Sequence, residues 1–138
     1  MSVIVTDSGF APVADSQNPG LDALEPGATA VDLTATDDPA QILSRLAPHL
    51  PQLTLIRLAF PAFSDGRAFT LARRLREAGY AGELRALGPV IADQYAMLRR
   101  CGIDAAEIPE AIAERQPWPQ WQARANWRAH DYQSRLKA

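Results

Sequence analysis

Cysteine is almost missing from this chain: Cys101 is the only one in 138 residues. A single thiol forms no internal disulfide, no CxxC redox pair and no iron–sulfur ligand set. His49 and His130 are the only histidines, which with one thiol makes a four-ligand zinc site a poor expectation, and no metal ligand is assigned. Neither GxGxxG nor GxxxxGK[ST] occurs, so the two common phosphate-cradling loops are absent. No window approaches the roughly 20 apolar residues of a membrane helix. Residues 1–10 carry no basic n-region and no long apolar run, so no signal peptide and no membrane are expected and the expected location is the cytoplasm. A net charge of −2 supplies no overall basic field for nucleic acid. Lysine is also scarce: Lys137 is the single lysine among fourteen bases.

What is present is globular composition, 47% hydrophobic and 22% charged, which argues against disorder. The length fits a single domain over residues 1–138. Within it, residues 1–29 read as an N-terminal hairpin and loop, 30–109 as a βα core and 110–138 as a helical tail. Residues 1–53 hold seven acids and one base, and residues 54–138 hold nine acids and thirteen bases. The arginine fork suits carboxylate, sulfate or phosphate.

Val3 to Phe10 reads as strand, turn and return strand. Ala30 to Leu33 is a strand, followed by a helix from about Pro39 to Leu46 that Thr36 or Asp37 could cap. Thr54 to Phe60 is the strongest strand, its near-continuous apolar run suiting burial on both faces of a parallel sheet. A helix from about Arg67 to Ala78 places Ala68, Leu71, Ala72 and Leu75 on one side, with Gly79 just past its end. Glu83 to Leu87 is the next strand, Ile91 to Arg100 the next helix, and Ala106 to Ile108 the last strand. In the tail, a short helix near Ala111 to Arg115 precedes a polar one from Gln120 to Arg135. Strands recurring near 31, 54, 83 and 106, each gap filled by a helix, predict successive βα units. The expected fold is therefore α/β, a small open and mainly parallel sheet, half-barrel-like or doubly wound.

Ligands of such sheets bind beyond the carboxyl ends of the strands. Here those ends are Phe60 to Arg67, Leu87 to Ile91 and Ile108-Pro109, and the first is the richest. Ser64, Asp65, Gly66 and Arg67 stand at the start of a helix, whose free N–H groups attract anions. Arg85 sits mid-strand nearby and needs either a carboxylate or a bound anion; Asp65 and Asp93 are the carboxylates considered. Asp93 and Gln94 open the following helix. These residues form the candidate anion or ligand site, against which stands a structural reading of Asp65 as an N-cap and of Arg85 as half of an ion pair. Cys101, near a helix C-terminus, reads as a small apolar residue. His49 and His130 have no partner at a triad-like spacing, and the catalytic residues are unknown. Trp118, Trp121 and Trp127, all the tryptophans of the chain, either cover the sheet or anchor a partner.

The stretch Leu58 to Ile108 resembles a bacterial family of uncharacterised proteins labelled as probable oxidoreductases involved in sulfite reduction. The motifs that carry this are FPxFxDGR (Phe60 to Arg67), ARxLR (Ala72 to Arg76), GELRAxGxV (Gly82 to Val90), Asp93-Gln94 and RCGxD (Arg100 to Asp104). The family usually has an acidic residue where Pro89 stands and an aromatic one where Ile103 stands. Genes of this family commonly neighbour those of assimilatory sulfite reductase and adenylyl-sulfate reductase, so the resemblance implies a place in sulfur assimilation. The leading expectation is an accessory protein docking on sulfite reductase or its electron donor, with a small sulfur oxyanion as a further ligand. An oxidoreductase with an unidentified cofactor at the strand ends, and an interaction module without a ligand, are the alternatives.

Overall fold

The computed structural model describes residues 2–34, 38–60 and 67–125. Among these the chain forms strands β1 (Ser2–Thr6), β2 (Gly9–Val13), β3 (Ala30–Thr34), β4 (Leu55–Ala59), β5 (Glu83–Leu87) and β6 (Ala105–Pro109). The helices are α1 (Pro39–Leu46), α2 (Arg67–Glu77), α3 (Tyr95–Arg100), α4 (Glu110–Arg115) and α5 (Trp118–Ala125), with 3-10 turns at Leu21–Ala23 and Ala92–Gln94.

All six strands form one sheet in the order β2-β1-β6-β5-β4-β3. β3 to β6 are parallel and keep their chain order, joined through helices. β1 pairs antiparallel with both β2 and β6, placing Ile4 opposite Glu107. The sheet is thus mainly parallel and wound in one direction, half-barrel-like in its strand order. The hairpin is not an appendage, because it extends the sheet beyond β6.

One face of the sheet carries the core. Val31, Leu33, Ile56, Leu58, Leu84, Ala86, Ala106 and Ile108 alternate inward and pack in one cluster with Ile42 and Leu46 of α1, Leu71 and Leu75 of α2, Tyr95 and Leu98 of α3 and Trp121 of α5. Burial of each large aliphatic side chain contributes about 1.5–3 kcal/mol relative to exposure. β4 is covered on both faces, as its near-continuous apolar run suggested, but one of the two covered faces carries a charge at its centre. Its central residue, Arg57, projects from the opposite face yet is only 1% exposed, because chain between β2 and β3 covers it, with the Ser16 carbonyl accepting from its Nη2 at 2.8 Å.

Local chemistry sets the helix ends. Asp38, rather than Thr36 or Asp37, caps α1: its Oδ1 accepts from the Ala40 N–H at 3.2 Å, immediately ahead of Pro39 in the first turn. α2 and α3 both end on a glycine with φ near +95° (Gly79 +97°, Gly102 +95°). In each, the next residue's N–H returns to the carbonyl five residues back, Tyr80 to Leu75 and Ile103 to Leu98. The helix expected from Ile91 opens instead as the 3-10 turn and becomes α-helical at Tyr95. α5 begins at Trp118, with Pro119 in its first turn, where a missing N–H is harmless. The later part of the expected tail helix lies outside the described residues.

Arg76 joins the two glycine-terminated helices. It donates to the carbonyls of Gly102 (3.0 Å), Tyr80 (2.9 Å) and Gly82 (2.8 Å) and to Asp104 Oδ2 (2.8 Å). A Cβ on Gly102 would stand 2.6 Å from Arg76 Cγ, so close packing as well as the positive φ requires glycine there. No helix among the described residues is long and apolar enough to cross a membrane.

Candidate functional site

The central residue of each parallel strand is charged: Asp32 in β3, Arg57 in β4, Arg85 in β5 and Glu107 in β6. Asp32, Arg57 and Arg85 are in register across the sheet. Glu107 pairs with Leu87, two residues further along β5. Period-two alternation puts all four on the face away from the core.

They form one continuous ladder of alternating sign. Arg57 grips Asp32 with Nε to Oδ1 at 2.7 Å and Nη2 to Oδ2 at 2.6 Å. Its Nη1 donates to Glu107 Oε2 at 3.0 Å. The other Glu107 oxygen accepts from Arg85 Nη1 at 2.6 Å. Arg85 then turns to Glu83, with Nη2 at 2.9 Å from both carboxylate oxygens. Asn18 closes the other end by donating from its backbone N–H and side-chain amide to Asp32. Arg57 and Glu107 are buried, at 1% and 3% exposure, while Glu83 at the ladder's end is 36% exposed.

The hydrogen bonds that Arg57 donates to Asp32 hold its pKa above the ordinary value, outweighing the opposing effect of burial. At Arg85, burial works against the charge, but hydrogen bonds to Glu107 and Glu83 outweigh it and raise the pKa. Both guanidiniums are therefore locked in the charged form. A buried charge stripped of its partners costs several kcal/mol, and here each is supplied with them. The ladder is a satisfied network that fixes strand register.

The residues read as a candidate site from the sequence are dispersed among different partners. Arg67 is exposed at the first position of α2, while Ser64, Asp65 and Gly66 lie outside the described residues. Arg85 is held by Glu83 and Glu107; of the two carboxylates considered for it, Asp93 accepts instead from Arg124 at 2.6 Å on the surface. Gln94 folds back so that its Oε1 accepts from the Ile91 N–H at 3.1 Å. Trp121 is 0% exposed, stacked edge-on against Phe10 and Tyr95, with Nε1 donating to the Gln116 carbonyl at 2.8 Å. Trp118 is half-buried against Phe10, and Trp127 lies outside the described residues. Cys101 is buried beside Met97, with Sγ 3.8 Å from Sδ, and burial pushes its thiol pKa up, opposite to what a nucleophile needs. Among the described residues, no group of three or more His, Cys, Asp and Glu could hold a metal ion.

A second polar knot clamps the hairpin. The Tyr95 hydroxyl donates to Asp7 in the β1–β2 turn, and Arg99 Nε stands 3.3 Å from the same carboxylate. Burial, then the bond to Asp7, pushes the Tyr95 pKa far up, so the phenol stays a donor.

Residues 30–138 match the model of a bacterial family of proteins of unknown function, DUF934. The chain belongs to this family. The match spans the four parallel strands and their helices and leaves the β1–β2 hairpin outside it. No curated protein and no solved structure matches the chain.

Sequence reasoning missed Asp32, Arg57, Glu83 and Glu107. The signal was available as one charge at the middle of each short apolar strand. It becomes legible only once strand boundaries are known to within one residue.

Proposed function

We propose that this chain is an accessory protein of assimilatory sulfite reduction, docking on the reductase or its electron donor and contributing no redox chemistry of its own. The resemblance of its central third to proteins labelled for sulfite reduction supplies the pathway. The observation favouring docking over oxyanion capture is the saturation of Arg85: its Nη1 and Nη2 donate to Glu107 and Glu83. A sulfite or sulfate ion at that position would have to displace a carboxylate from a partly buried pair, losing charge-assisted bonds comparable to those it makes.

A deletion strain tests the pathway. It should grow on cysteine and fail on both sulfate and sulfite. Normal growth on sulfate, or rescue by sulfite, would overturn the reading. Docking is checked by capture: the tagged full-length chain should retain sulfite reductase from an extract of its own cells. Against the oxidoreductase alternative, the freshly purified protein should show no flavin or haem absorption.

A further inference from the structure

Beyond the carboxyl ends of β5 and β6 the surface opens into a cleft of about 430 Å³, lined by Pro89, Ile91, Pro109, Ile112, Arg115 and Gln116 among others. It is where an open α/β sheet places its ligands, and its size falls within the usual range for small-molecule sites, about 300–1,000 Å³. Its walls are mainly apolar, and its two polar side chains are both donors in want of an acceptor.

Gln116 is fixed in place. Its N–H donates to Ile112 at 2.8 Å, its carbonyl accepts from Trp121, and its Oε1 accepts from the Ala92 N–H at 2.8 Å. A backbone N–H can only donate, so the oxygen of the side-chain amide must be the atom facing Ala92. The Nε2 donor is left over, with no acceptor among the described residues. Arg115 touches the Ala111 carbonyl only through Nε, at 3.4 Å. Its two terminal nitrogens likewise have no acceptor among the described residues. An apolar cleft with a guanidinium and an amide N–H beside it is complementary to an apolar body bearing one carboxylate.

We propose that this cleft binds a small monocarboxylic acid with an apolar body, the carboxylate held by Arg115 and Gln116 Nε2 and the body seated among Ile91, Pro109 and Ile112. The proposal is independent of the sulfite-reduction reading, since it needs neither the reductase nor a sulfur ligand.

Phenylacetate, phenylacetamide and inorganic sulfate serve as probes in NMR titrations of the full chain. Phenylacetate should shift the resonances of Ile91, Ile112 and the Gln116 side-chain amide saturably, and bind at least about tenfold more tightly than phenylacetamide, since a charge-assisted hydrogen bond is worth that much. Arg115→Gln changes an exposed residue. Gln116→Glu keeps an acceptor for Ala92 but replaces the free donor with a negative charge. Each should weaken phenylacetate about tenfold and leave phenylacetamide unchanged. The proposal fails if phenylacetate leaves these resonances unmoved, if the neutral amide binds as tightly, or if sulfate shifts them as strongly. The last result would mean a bare cation rather than a site for an apolar acid.

Discussion

Arg57 and Leu58 are neighbours on one strand, both nearly inaccessible to water, and they are held by different physics. Leu58 sits in an apolar cluster drawn from strands and helices, where contacts are non-directional and individually small. Arg57 makes four hydrogen bonds to Asp32, Glu107 and Ser16, and loss of any one partner leaves a buried donor unsatisfied. The apolar face accommodates change of shape but not loss of volume. The charged face resists loss of one partner but can tolerate coordinated replacement of both.

The largest expected effect comes from removing Glu107, which serves both arginines. Glu107→Ala should destabilise by about 3–5 kcal/mol in urea denaturation, because it leaves one charged donor unsatisfied on each of two buried or half-buried arginines, which Asp32 and Glu83 still neutralise. Adding Arg57→Met to it should recover part of that loss, giving a coupling of about 0.5–3 kcal/mol in the double-mutant cycle. Strict additivity would mean that the two side chains do not act as a pair. On the other face, Leu58→Ala should cost about 2–5 kcal/mol through lost burial and a cavity. That loss should be insensitive to salt. The exposed end of the ladder should matter least among the charges: Glu83→Gln should cost no more than about 1 kcal/mol, and less as salt is added. A cost equal to that of Glu107 would erase the distinction between buried and exposed rungs.

Tyr80, on the apolar side, gives a pH counterpart. Burial pushes its phenol up to about 12. The folded state keeps the proton after the unfolded state has released it, so this contribution to stability is complete below about pH 10 and is lost as pH rises toward 12. Alkaline absorbance titration should show a phenol step near pH 12 that Tyr80→Phe removes. A Tyr80 step near pH 10 would show the ring to be solvated.

The apolar face was the legible one. Val31, Leu33, Ile56, Leu58, Leu84 and Ala86 announce strands by alternation. Ala68, Leu71, Ala72 and Leu75 announce a helix by period, and Gly79 and Gly102 mark the helix ends. These signals are local. The charged face was not legible, because its meaning lies in pairs far apart in sequence, such as Arg57 with Glu107 and Asp32 with Asn18. Arg85 could be singled out as a mid-strand charge needing a partner, but nothing in the spacing says that Glu107 is that partner. Of the apolar cleft, the strand ends Leu87 to Ile91 and Ile108-Pro109 were legible as places for a ligand, but the α4 region that completes it, with Arg115 and Gln116, was not.

The pairing of β1 with β6 has a kinetic consequence. Ile4 and Glu107 face each other across strands about a hundred residues apart in sequence, and such long loops must close before their contacts reward them. During synthesis β1 leaves the ribosome well before β6 and has no permanent neighbour except β2 until β6 follows. Once made, β6 presents an open edge ready to pair with another chain until β1 docks on it. The hairpin that lies outside the family match is the piece that closes this window, so its docking governs how long the growing chain is vulnerable to aggregation.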